Sequence, residues 1–178
     1  YGKRFLQGFI DHFPEEATLA VFYEDTIPEE NDERILFFKL HHDDGLTNFL
    51  GKYENSPEAN GIIDGKSNYR YQAVKFGKKV AAETSLSCPS SNWRIWIDSD
   101  VIIKKDIPMS FFEEHFPPSD VIFHYLGRPD HIWDHCEAGF VAYQTRLEAT
   151  QDMLGVFREA YFGEDHNVFK LDQWHDSY

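Results

Sequence analysis

Along this chain the apolar positions alternate between helical spacing and short continuous runs. Residues 3–13 carry Phe5, Leu6, Phe9, Ile10 and Phe13 at helical spacing, and Pro14 stops the run. Residues 18–23 predict a strand that delivers Glu24 and Asp25 at its end, and after an acidic, proline-containing loop residues 34–38 predict a second. A short helix is expected over 43–53, then a loop rich in Asn, Gly, Ser and Pro over 54–67. Asn68 is placed to cap a helix over 69–82, with Tyr69, Ala73, Phe76 and Val80 on its inner face. The run Trp93-Arg94-Ile95-Trp96-Ile97, apolar or aromatic at four of five positions, predicts a buried strand. After Pro108 come a helix over 110–116, a strand over 120–125, a loop with Gly127, Arg128 and Pro129, a strand over 139–143 and a long amphipathic helix over 147–161. Strands alternating with helices predict an α/β fold with a mixed, mostly parallel sheet flanked by helices.

The length of 178 residues suits a single domain spanning 1–178, and no linker, repeat or low-complexity tract interrupts it. The opening on Tyr1 and the stop at Tyr178 in mid-pattern suggest an excerpt of a longer chain. The aromatic share of 16% fits core packing first and sugar-stacking surfaces second. A net charge of −14 argues against nucleic-acid partners and against docking on anionic membranes. It also means that an anionic ligand would need local cations or a metal. No stretch is long and apolar enough for a membrane segment. Two cysteines, Cys88 and Cys136, form neither a disulfide framework nor a zinc spacing, and fit a cytoplasmic setting.

Chemistry concentrates where the strand 93–97 ends in Asp98-Ser99-Asp100. A buried unpaired carboxylate is costly, so these acids should emerge at a crevice, and ligands of open α/β sheets bind outside the carboxyl ends of the strands. Two carboxylates one residue apart can hold a hard divalent cation, which grips phosphate oxygens; the same tripeptide is also ordinary turn chemistry. Arg70, Lys75, Lys78 and Lys79 give the helix over 69–82 a local positive charge, from which Arg70 and Lys75 can reach a diphosphate, unless they form a solvated face. Glu137, before the strand over 139–143, is a candidate base or a surface turn. His135 and Cys136 lack the further ligands a metal site needs. In the closing run Asp172-Gln173-Trp174-His175-Asp176, His175 can complete a metal shell, or Asp172 can simply cap a helix.

The order of these segments resembles the GT-A class of nucleotide-sugar glycosyltransferases, in the group that includes glycogenin and bacterial lipopolysaccharide galactosyltransferases, and is closer still to uncharacterised phage and bacterial members. The resemblance rests on Asp98-Ser99-Asp100 leading into Val101–Pro108, then Ala138-Gly139-Phe140-Val141-Ala142-Tyr143, then Asp172-Gln173, and covers residues 68–178. It implies a Rossmann-like GT-A domain that here lacks the family's first strand. It also implies a Mn2+ or Mg2+ cofactor on Asp98 and Asp100, with His175 standing in for a third ligand whose family motif would lie past Tyr178. The expected reaction moves a sugar from a nucleotide diphosphate sugar to the hydroxyl of a glycan or other acceptor. Glu24 or Asp25 would meet the nucleoside, and Arg70 and Lys75 the phosphates. Glu137 or Asp176 would deprotonate the acceptor if the reaction inverts, and Asp172 and Gln173 would face the donor sugar if it retains. Two other readings stand beside it. One is a haloacid-dehalogenase-like phosphatase, whose strand also ends in Asp-x-Asp but whose late acidic pair is missing. The other is a non-catalytic sugar- or nucleotide-binding domain.

Overall fold

The computed structural model describes residues 2–85, 91–126 and 137–174; the side chain of Glu137 lies outside that description. So do Cys88, Gly127, Arg128, Pro129, His135, Cys136, His175 and Asp176. Among the described residues the chain forms α1 (Gly2–His12), β1 (Leu19–Tyr23), β2 (Ile35–Lys39), α2 (Asp44–Tyr53), β3 (Ile62–Ile63), β4 (Lys66–Ser67), α3 (Ala73–Glu83), β5 (Trp93–Ile97), α4 (Met109–His115), β6 (Phe123–Leu126), β7 (Glu137–Gln144) and α5 (Glu148–Phe162). The architecture is mixed α/β, and no described helix is long and apolar enough to cross a membrane.

The α1 stripe read from the sequence does bury: Phe5, Leu6 and Phe9 are nearly inaccessible, and Leu6 and Phe9 pack with Ile35 against β1 and β2. Arg34 locks this corner. Its guanidinium pairs with Asp32 at 2.8 Å, donates to the carbonyls of Ile10 and Phe13 at the end of α1, and lies 5.1 Å over the Phe9 ring. On the other side, α2, α3 and α5 close around a second core, where Phe49, Leu46 and Val80 are fully buried. Asp43 caps α2 through the Leu46 amide and also pairs with Arg158 of α5 at 2.8 Å, so one carboxylate ties two helices together.

Two expectations need correction. Asn68 does not start α3: it caps a separate 3-10 turn over Tyr69–Tyr71 by accepting the Arg70 amide, and Tyr69 is 61% exposed rather than inward-facing. The residues expected as loop contain the β3–β4 hairpin, whose turn holds Asp64 and Gly65 at positive φ.

Sheet topology departs further from the expectation. β1 and β2 pair in parallel, in register from Leu19 with Ile35 to Tyr23 with Lys39. The other main sheet has the order β5-β7-β6, and both of its pairings are antiparallel. β5 and β6 therefore run the same way, and β7 is the inverted strand between them. Apolar periodicity says which residues are buried but is silent on strand direction. Glu137 also lies inside β7 rather than ahead of it.

Candidate functional site

The candidate site is built on the relation between α3 and the ends of β1 and β5. Arg94, early in β5, donates to the carbonyls of Glu83 and Ser85 at the end of α3. Lys79, one helical turn earlier, reaches Asp98 at the other end of β5, at 3.3 Å. The helix therefore runs antiparallel to the strand, and its first residue, Ala73, lies about 9 Å further along the axis than Lys79, past the strand's carboxyl end. The neighbouring Lys78 pairs with Glu24, the residue that follows β1. Two consecutive lysines thus bind the carboxyl ends of two strands, and the N-terminal part of α3 forms one wall beyond them.

Asp98 is held on several sides. The Trp96 indole N–H donates to its Oδ1 at 2.6 Å, because residues two apart on a strand share a face. Its amide donates to the Gly139 carbonyl at 3.0 Å, and its carbonyl accepts the Val101 amide at 3.1 Å, which turns the chain. The sequence left metal site and turn open for Asp-Ser-Asp, and the backbone does turn here. Lys79 also donates to the Ala138 carbonyl at 2.7 Å and lies 5.2 Å over the Trp96 ring, so it joins β5, β7 and α3. Asp100 is exposed two residues on. With Oδ1 taken by Trp96 and Lys79, the donors left to face a cation are Asp98 Oδ2 and the Asp100 carboxylate. These hard oxygens suit Mg2+ or Mn2+ in kind. Among the described residues no group of three His, Cys, Asp or Glu side chains could hold a metal, and His175 lies outside them.

A second group forms at the start of α3. The Trp174 amide donates to the Arg70 carbonyl at 2.7 Å, the Trp174 ring packs edge-on against Tyr71 at 5.1 Å, and the Tyr161 hydroxyl donates to the Trp174 carbonyl. This seats the Asp172–Trp174 segment beside the turn that carries Arg70. Asp172 is exposed and Gln173 half-buried. Lys75, on the first turn of α3, is exposed beside the Phe76 ring, and Asp25 is exposed next to Glu24. Arg70, Asp172 and Gln173 thus gather in one group, and Glu24, Asp98 and Asp100 in another. The N-terminal half of α3 connects them.

Sequence reasoning missed Lys78, Lys79 and Trp96 as parts of the site. Both lysines were legible only as charge on a helix face. The Trp96-x-Asp98 spacing was the one local signal, since it puts an indole donor on the same strand face as the carboxylate.

Comparison with protein-family models, with curated proteins and with solved structures found no match to this chain.

Proposed function

We propose that this protein is a metal-dependent glycosyltransferase that moves a sugar from a nucleotide diphosphate sugar to an acceptor hydroxyl. The observation that carries the reading is the emergence of Asp98 and Asp100 at the carboxyl end of β5, with Asp98 fixed by Trp96 and Lys79 and the end of β1 clamped alongside by Lys78. Strand ends of this kind are where α/β sheets meet ligands.

Asp98 and Asp100 would hold Mn2+ or Mg2+, which when bound supplies Lewis-acid neutralisation of the leaving diphosphate. Lys79 keeps Asp98 aimed at the crevice, and Arg70 and Lys75 bind phosphate oxygens by charge. Glu24 or Asp25 accepts from nucleoside hydroxyls. Glu137 or Asp176 takes the acceptor proton in an inverting reaction, and Asp172 and Gln173 orient the donor sugar in a retaining one. The finer fold reading, a GT-A sheet lacking its first strand, draws support from two strand edges. Neither β1, opposite β2, nor β5, opposite β7, has a described strand on its other side, and every residue of both strands is only half-buried.

The test is incubation with Mn2+ and a panel of nucleotide sugars, followed by assay for released nucleoside diphosphate. Release that disappears in Asp98→Ala and Asp100→Ala is expected. No release from any donor, together with metal-dependent nucleotide binding indifferent to both substitutions, would sink the proposal. Asp98-dependent hydrolysis of a phosphomonoester would favour the phosphatase, and glycan binding that survives chelation the non-catalytic domain.

A further inference from the structure

Away from the strand ends of β1 and β5, His166 combines three unusual features. It is 7% exposed, its backbone is left-handed with φ 43°, and it stands in the wall of a cavity of about 480 Å³ between α2 and the end of α5. A β-carbon disfavours that φ, and such strain persists only where the surroundings enforce it. Here the imidazole is held from both sides. Its Nδ1 lies 2.9 Å from the Tyr161 carbonyl, which can only accept, so Nδ1 carries the hydrogen. Its Nε2 lies 3.0 Å from Lys52 Nζ, and an ammonium can only donate, so Nε2 offers its lone pair. The rings of Phe49 and Tyr53 meet it edge-on at 5.7 and 5.2 Å. These contacts suit the tautomer with its hydrogen on Nδ1 and its lone pair on Nε2.

The same residue starts the segment that reaches the candidate site. The His166 carbonyl accepts the Phe169 amide at 3.1 Å, the Phe169 ring packs on Trp174 at 5.0 Å, and the Trp174 amide bonds the Arg70 carbonyl. We infer that His166 and Lys52 form a proton-operated latch, which holds residues 163–174 in place while the imidazole is neutral and releases them when it is protonated. A proton on Nε2 removes the acceptor and sets two cations 3.0 Å apart, so acid favours the released segment. The groups facing the imidazole are Lys52 and the Phe49 and Tyr53 rings from α2 and the Tyr161 carbonyl from α5; Glu164 lines the same cavity, and Asp165 pairs with Lys170. Release would unseat Asp172, Gln173 and Trp174 from the Arg70 turn whatever ligand the crevice takes.

Hydrogen exchange tests this, read by peptide between about pH 8 and about pH 5, where imidazoles ordinarily titrate, and corrected for the intrinsic pH dependence of exchange. The expected result is a loss of protection of about tenfold confined to 163–174 at the acid end. His166→Asn, whose side chain tolerates left-handed backbone, should abolish the pH step. Lys52→Met, at an exposed position, should shrink it. An undiminished step in either variant, a loss spread evenly over the chain, or no step in the wild type would overturn the latch.

Discussion

The knot around Phe49 and the strand end at Asp98 are stabilised by opposite means. Phe49 is fully buried, with Tyr53 at 5.0 Å, Phe162 at 5.8 Å and Phe169 stacked at 6.0 Å; even Gly77 is closed to it, since a β-carbon there would meet the ring at 3.2 Å. Asp98 keeps 41% of its side chain accessible and is fixed by a lysine, an indole and backbone amides. Shape and dispersion build the frame, while directional polar contacts aim a group that must stay reachable. The two regions share α3: Gly77 presses on Phe49 and, two residues on, Lys79 reaches Asp98.

The comparison breaks most sharply at Phe49. Phe49→Ala should cost about 3–5 kcal/mol, read as a lower denaturant midpoint, because a cavity opens among rings that cannot all collapse into it. If stability holds, the knot is not the frame. Asp98→Ala should act mainly on function: loss of the Lys79 and Trp96 contacts lowers the melting temperature slightly, while metal-dependent release of nucleoside diphosphate falls about a hundredfold. Lys79→Met sits between the regions. It loses a charge-assisted bond to the Ala138 carbonyl as well as the Asp98 clamp, so a stability loss of roughly 2 kcal/mol should accompany weaker nucleotide binding by calorimetry.

The smallest effect belongs to the Arg34 corner. The side-chain hydrogen bond from Arg34, helped by the Arg34 backbone amide, holds the Asp32 carboxyl below its ordinary range. A carboxyl depressed in the folded state adds stability above its unfolded value, and that contribution fades as pH falls through the folded value. Thermal melts from neutral pH to about pH 3 should therefore fall slightly less steeply for Asp32→Asn than for wild type. A steeper fall for the variant would reverse the sign and remove Asp32 from the account.

Much of the frame was legible in the sequence. The α1 stripe, the runs of β1, β2 and β5, and the long α5 follow local periodicity, which reports burial directly. The start of α3 was misplaced by three to four residues, because Asn68 is as good a cap for a 3-10 turn as for an α-helix. Within the site, the two aspartates were visible as a strand ending in acid, and Arg70 as a cation near a helix start. Their partners were not: Lys79 meets Asp98 and Arg70 meets Trp174 across separations with no periodic signature.

The sequence by itself determined where most of the longer strands and helices lie and that the strand over 93–97 ends in acid, since burial pattern and carboxylate solvation are properties of short segments. Only the tertiary structure decided that β7 runs against β5 and β6, that Lys78 and Lys79 clamp two strand ends, and that Lys52 faces His166. Those facts depend on how distant segments dock, and docking is settled by the summed packing of whole elements.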